Sequence, residues 1–326
     1  MEKSKNIILI TGGAGFIGSH LAEKLLSQGK EVFVVDDLST GSRDNIKHLQ
    51  NNQNFHFIEG SVLDRSLMLE VIDKVGQVYH LAASVGVKTV MEKPLESFLN
   101  NLKGTEMILE LACKNNLPVL LTSSSEVYGK NDSLPFKEES DRVYGSAYND
   151  RWGYALSKGS DEFLALAYFR EKKLPAIIVR LFNVIGPRQT GFYGMVVPTF
   201  IKQALEGKSI IVFGDGEQSR CFADIDDVAG ALMDLMEHQG APGQIFNLGS
   251  EEEISIKELA KKIKALVKSD SAINFIPYSQ AYGPGFEDMA HRKPDISKIK
   301  QAIGYQPKNS LEQSLKKIIE YFHPPR

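Results

Sequence analysis

Short, unbroken apolar runs recur through the first half of the chain: "NIILIT" near the N-terminus, "EVFVVDD" (31–37), "FHFIEG" (55–60), "QVYHLAA" (77–83), "PVLLTSS" (118–124) and "AIIVRLFNV" (176–184). Runs of this length, rich in β-branched and aromatic residues and apolar at successive positions, predict strands buried on both faces. Helix-length segments lie between them. "SHLAEKLLSQG" places Leu21 and Leu25 one turn apart and stops at Gly29, and further helices are predicted over 66–74, 97–115 and from Asp150 to about Lys172. Such alternation predicts an α/β chain built on a doubly wound parallel sheet, with helices covering both faces. Beyond residue 184 the pattern is less regular and is punctuated at Gly186-Pro187, Gly214 to Gly216, Pro242-Gly243 and Gly283 to Gly285. The expected organisation is a larger domain over 1–182, to which 222–248 returns, and a smaller C-terminal α/β domain over 183–326.

Composition narrows the function classes. The 326 residues are 42% apolar and 24% charged with a net charge of -3, ordinary for a soluble globular protein, and offer no basic field for nucleic acid or anionic membranes. Cys113 and Cys221, too few and too far apart for a disulfide framework, suit a reducing compartment. The N-terminus has too short an apolar run for a signal peptide, and no stretch is long enough to span a membrane, so a cytoplasmic protein is expected. The seven histidines show no paired metal-ligand spacing, which argues against a metal enzyme.

The first apolar run leads into "TGGAGFIG", where Gly12, Gly15 and Gly18 stand between a strand and a helix and bracket Phe16 and Ile17. Glycine serves where a backbone turns sharply, where a pyrophosphate approaches main-chain amides, and where helix meets strand. Asp36, at the end of the second run, is placed to accept from a ribose hydroxyl. The pattern predicts a dinucleotide site, and the carboxylate favours NAD over NADP. Arg43 is a nearby cation that leaves the second choice open.

In "YALSK", Tyr154 and Lys158 are four apart and share a helix face. A free phenol is a poor base at neutral pH, and a nearby ammonium is expected to bring it toward working range. Ser123, Ser124 and Ser125 close the fifth predicted strand, where doubly wound proteins build sites. A serine hydroxyl there can hold an alcohol while the phenolate takes its proton and hydride leaves carbon.

Taken together, "TGGAGFIGSH", "HLAA" (80–83), "NLKGT" (101–105), "SSSEVYG" (123–129), "YALSK", "RLFNVIGPR" (180–188) and "RCFADIDDV" (220–228) resemble the extended short-chain dehydrogenase/reductases, the nucleotide-sugar epimerase/dehydratase family. The resemblance covers essentially the whole chain. It implies a permanently held NAD touched by the glycine turn, Asp36, Ser61, Val62, Leu81, Ala82, Ala83, Tyr154 and Lys158. It implies a nucleoside-diphosphate sugar, UDP-linked by analogy, oxidised at C4 with Ser124 and Tyr154 on the 4-hydroxyl. Asn183, Val197, Arg220 and Arg292 would contact that substrate, and a homodimer would join through 97–115 and 151–172. One departure is visible: the acid similar proteins carry after the third strand is replaced in Gly60-Ser61-Val62.

The fate of the 4-ketone turns on Ser125-Glu126. Family dehydratases resemble one another in an Asp-Glu pair at this place, whereas a Ser-Glu pair, together with "RWGYALSK" and "YGPGFEDMAHRKP" (282–294), resembles the uronate decarboxylases. Decarboxylation is the leading expectation, with Arg220 holding the carboxylate and Glu126 managing the C5 proton. C4 epimerisation and dehydration stay open, and a catalytically idle NAD sensor is the alternative from another class.

Overall fold

The computed structural model describes residues 4–191, 195–281 and 287–323. Seven strands form one sheet: β1 (Ile7–Thr11), β2 (Glu31–Asp36), β3 (Phe55–Glu59), β4 (Gln77–His80), β5 (Val119–Ser124), β6 (Ala176–Leu181) and β7 (Ile245–Leu248). They lie in the order β7-β6-β5-β4-β1-β2-β3, every neighbouring pair parallel. Because the chain runs from β1 outward to β3 and then returns to β4 on the other side of β1, the C-terminal ends of β1 and β4 open a crevice between oppositely directed crossovers, where such sheets bind ligands.

The main helices are α1 (Phe16–Ser27), α2 (Arg65–Ile72), α3 (Pro94–Lys114), α4 (Gly153–Lys172), α5 (Val196–Leu205), α6 (Ile225–Glu237), α7 (Ile256–Val267) and α8 (Leu311–Phe322). Alternate strand residues face opposite layers. Ile8, Ile10, Val32 and Val34 pack with Leu21 and Leu25 of α1 and Val228 and Leu232 of α6. Leu9, Val35, Val119 and Leu121 pack with Met68 of α2, Ile108 and Leu111 of α3 and Ala165 of α4. Sandwiching both faces explains the apolar runs without alternation. A third core, with Val197 and Ile201 of α5, Leu259 and Ile263 of α7 and Leu315 and Ile318 of α8, supports the smaller C-terminal lobe. There two-stranded pairs replace the large sheet: Ile210–Phe213 with Ile273–Ile276, and Ser219–Cys221 with Glu253–Ser255. Among the described residues no helix is long and apolar enough to cross a membrane.

Element ends depart from the sequence pattern for local reasons. The run 77–83 is strand only to His80, beyond which Leu81, Ala82 and Ala83 turn across the crevice. The run 176–184 breaks after Leu181, because Asn183 adopts φ 34, and Val184–Ile185 pairs separately with Ala223–Asp224. The helix expected from residue 97 begins at Pro94, whose fixed φ and missing N–H suit a first helical position. A 3-10 turn, Asp150–Trp152, precedes α4, and the Asn149 side chain accepts from Arg151 N at 3.1 Å. The glycines at 283–285 and part of the "YGPGFEDMAHRKP" and "GFYGMVVPTFI" phrases lie outside the described residues.

Candidate active site

A cavity of about 1340 Å³ runs from the glycine turn, across the ends of the central strands, to α5 and the segment around Arg292. Its wall brings together Gly12, Gly15, Phe16, Ile17, Gly18, Asp36, Ser61, Val62, Leu81, Ala82 and Ala83 at one end with Ser124, Ser125, Glu126, Tyr154, Lys158, Asn183, Val197, Arg220 and Arg292 at the other. The wall also holds Arg151 and Asp288, which the sequence motifs do not single out as site residues.

The nucleotide end is made largely of backbone. Gly12 has φ 72, and a Cβ there would lie 2.7 Å from Ala82 N. At Gly18 a Cβ would meet Gly12 O at 2.3 Å, so the helix can approach the strand turn only with glycine in place. Asp36 is buried and accepts from Ala14 N at 2.9 Å and Leu38 N at 2.8 Å, which fixes its carboxylate on the cavity wall. A cradle free of side chains, a helix N-terminus and a fixed acid fit the pyrophosphate and adenosine ribose of NAD. Arg43, the cation that left NADP open, is taken up by Glu59 and lies 5.3 Å from the centre of the Phe57 ring.

The tyrosine differs from expectation. Burial is the largest influence on Tyr154 and pushes its phenol above the ordinary value; the anions Glu126 and Asp161 push the same way, against a hydrogen bond from Ser124. Lys158 is buried, but its Nζ donates to Asp161 Oδ2 at 3.2 Å. Burial and the two anions therefore favour the neutral phenol, and the Lys158 ammonium one turn along the helix is paired with Asp161. His80 backs this corner, with Nδ1 2.7 Å from Thr11 Oγ1 and Nε2 3.3 Å from Thr105 Oγ1. Burial and the Lys158 charge push it down to about 3, so it is a neutral strut between β1, β4 and α3.

Two charge networks flank the segment Ser123–Gly129. Beneath it, Ser123 Oγ donates to Glu162 at 2.5 Å, and Arg180 meets the same carboxylate through Nε and Nη2, both at 2.9 Å. Arg180 Nη1 donates to the Tyr128 hydroxyl at 2.8 Å, which donates onward to Asn247 Oδ1 at 2.6 Å. The first of the three serines and Tyr128 are thus anchors. Ser124 Oγ accepts from Glu126 N at 3.2 Å, opening the 3-10 turn Ser125–Tyr128 that carries Glu126 to the cavity.

Facing the cavity, Glu126 pairs with Arg151 Nη1 and, at 3.4 Å, with Arg292 Nη2. Asp288 joins three guanidiniums: Arg220 at 2.9 Å, Arg151 at 3.4 Å and Arg292 at 3.6 Å. Burial alone would push Glu126 up, but Arg151 and Arg292 outweigh it and hold the carboxyl below its ordinary value. Arg220 spends Nη1 on the carbonyls of Ser219 (2.7 Å) and Ala290 (3.3 Å). By contrast, the buried Nε of Arg151 and of Arg292 have no hydrogen-bond partner among the described residues. The signal for Asp288 in the sequence is no more than an acid four residues before Arg292, and for Arg151 a base three before Tyr154; neither spacing alone says that the two meet Glu126.

The sequence profile of the NAD dependent epimerase/dehydratase family matches residues 8–249. A UDP-N-acetyl-alpha-D-glucosaminuronate decarboxylase from Bacillus cytotoxicus is 44% identical over 319 residues, 98% of this chain and 98% of that protein. UDP-glucuronic acid decarboxylase 1 from Danio rerio is 38% identical over 324 residues, 98% of this chain and 73% of that protein. Among solved structures, UDP-glucuronic acid 4-epimerase from Bacillus cereus, in complex with UDP-glucuronic acid and NAD, superimposes with a TM-score of 0.87 at 31% identity, covering 97% of this chain and 98% of that one.

Proposed function

The chain belongs to the NAD dependent epimerase/dehydratase family and is an NAD-dependent enzyme of nucleotide sugars; from that premise we propose that it decarboxylates a UDP-linked hexuronate. The observation that carries the reading is the buried charge cluster beside Tyr154. Among the described residues the carboxylates paired with Arg151, Arg220 and Arg292 are those of Glu126 and Asp288, three cations to two anions. Burying unmatched charge is costly, so the arrangement favours an anionic ligand. The spare N–H groups on Arg151 and Arg292 are suited to its oxygens. Arg220, whose donors are occupied by Asp288 and backbone carbonyls, is less free for a carboxylate than the sequence pattern suggested.

NAD, held by the glycine turn and Asp36, would supply a hydride acceptor for C4 and a hydride donor at the end of the cycle. The residues of the chain arrange everything else. Ser124 orients the 4-hydroxyl and Tyr154 takes its proton as the C4 hydrogen departs with both electrons, leaving a 4-ketone. The C6 carboxylate is now β to that ketone. The C5–C6 bond breaks, its electron pair moves into a C4–C5 enolate, and CO2 leaves. C5 then takes up one proton, hydride returns to C4, and Tyr154 gives its proton back to the C4 oxygen. Glu126 and the arginines fix the sugar while the apolar wall of Val197 and its neighbours on α5 excludes water. The same reading takes the protein to be a homodimer joined through α3 and α4, supported by exposed Leu156 and Phe163 on α4 beside a shallow groove; size-exclusion chromatography with light scattering showing a monomer removes that part.

The test is incubation of the NAD-loaded protein with UDP-glucuronate, UDP-N-acetylglucosaminuronate and UDP-glucose separately, with products weighed by mass spectrometry. Loss of the mass of CO2 from a uronate is expected. An unchanged mass with altered NMR couplings at C4 would assign epimerisation instead, and loss of the mass of water would assign dehydration.

A further inference from the structure

Arg151 stands one turn before Tyr154, at the head of α4, and its side chain is 3% exposed. One guanidinium nitrogen donates to Glu126 and another reaches Asp288. Its flat face lies 5.6 Å from the centre of the Trp152 ring, and the Trp152 indole donates to Glu287 at 2.9 Å. Arg151 is thus fixed on two sides, by packing on Trp152 and by the Asn149 side chain that caps its own backbone N–H. The groups that face Glu126 are Arg151 and Tyr154 from the start of α4, Arg292 and Asp288 from the segment 287–294, Arg220 from the strand Ser219–Cys221, and Ser124 from its own turn. Of the cations, Arg151 makes the closest contact.

We propose that Arg151 is the positioning residue of Glu126: its guanidinium keeps that side chain an anion, seated in the wall it shares with Tyr154, so that Glu126 holds the sugar and does not supply a proton during turnover. The consequence is chemical. A neutral Glu126 could donate to the substrate carboxylate and hold back the electron pair that C5–C6 cleavage must deliver to the C4–C5 enolate. An ionised Glu126 cannot, and the proton that C5 takes up comes from another donor. Burial alone would drive Glu126 toward its neutral form, so removing Arg151 exposes it to that force with only Arg292 opposing. With one guanidinium nitrogen on Glu126 and the other on Asp288, the planar fork also fixes the two carboxylates relative to each other, which a lysine at the same position would do less well.

The inference rests on the decarboxylase reading for its meaning, but its test does not. Infrared difference spectra of the NAD-loaded protein, labelled with carboxyl-13C glutamate and referenced to Glu126→Gln, report the protonation of Glu126 directly. In the wild type the carboxylate band should persist below the ordinary carboxyl range. In Arg151→Met it should give way to the protonated band at higher pH, and Arg151→Lys should fall between. In turnover, kcat of Arg151→Met should drop about 10²-fold, KM should rise with the loss of the N–H offered to the substrate, and the acid limb of the pH profile should move upward. The cost in kcat should largely vanish in the Glu126→Gln background, because both changes remove the same anion. Identical titrations in wild type and Arg151→Met, or an undiminished cost in the Glu126→Gln background, would overturn the proposal. If no uronate is turned over by the wild type, the functional reading fails while the infrared titration still decides the role of Arg151. Should Arg151→Met not fold, Arg151→Gln and Arg151→Lys supply the same comparison.

Discussion

Two buried guanidinium–carboxylate networks lie on either side of one seven-residue segment, and they are finished differently. Below Ser123–Gly129, every donor nitrogen of Arg180 is spent: on both oxygens of Glu162, on the Tyr128 hydroxyl and on the Glu138 carbonyl at 2.8 Å. Above it, Arg151 and Arg292 each keep a buried N–H without a partner among the described residues, and three cations meet two anions. A saturated network defines a shape and asks for nothing more. An unsaturated one stores a demand that a ligand can meet. The difference teaches how to read buried charge: composition of the cluster says little, and completeness of its hydrogen bonding says whether it belongs to the scaffold or to the chemistry.

The largest expected effect lies on the chemical side. Tyr154→Phe should reduce turnover by about 10³-fold or more while NAD remains bound, seen by product mass and by the coenzyme released on denaturation. Normal turnover would sever the cluster from the chemistry assigned to it. Next, Arg180→Met should lower folding stability by about 3–5 kcal/mol, because Glu162 is left buried with the Ser123 hydroxyl and a single, partly exposed cation, Arg142. The same change at Arg151 should cost clearly less stability, since Glu126 keeps Arg292 and borders an open cavity. Equal losses in denaturant titrations of the two variants would erase the contrast between the networks.

Proton linkage supplies a third test. Glu126 has a folded-state pKa below its unfolded one, so its ionised form stabilises the fold at neutral pH, and that contribution is lost as pH falls through the lowered value. The stability difference between wild type and Glu126→Gln should therefore shrink steadily on acidification below the ordinary carboxyl range, and a difference that grows there would reverse the assignment. Smaller still, Asp36→Asn should weaken NAD about tenfold by calorimetry, one charge-assisted hydrogen bond being worth roughly that much. Smallest is Arg43→Ala, which removes an exposed pair with Glu59 and should move stability by less than about 1 kcal/mol; a marked gain of NADP binding or loss of stability would give Arg43 a role it lacks here.

Much of the framework is legible in the sequence because it is written in short-range patterns. Apolar runs announce the strands, and the glycines of "TGGAGFIG" announce the turn that Gly12, with φ 72, adopts. Strand ends are less legible, since whether Leu81 continues β4 depends on where the neighbouring strands stop pairing. Tyr154 and Lys158 are found by their spacing, but that spacing does not show that Asp161, one turn past Lys158, pairs with the ammonium. Asp288 escapes a reading of the sequence because an acid in an irregular segment has no periodicity to betray it.

The sequence by itself determined the doubly wound sheet, the dinucleotide turn and the pairing of a tyrosine with a lysine on one helix face, because each depends on residues within a few positions of one another. Only the tertiary structure decided that Glu126, Arg151, Asp288 and Arg292, separated by as many as 166 positions in the chain, converge on one wall. Charge and burial act through space, and the ionisation of a carboxyl depends on which guanidiniums the fold has brought against it.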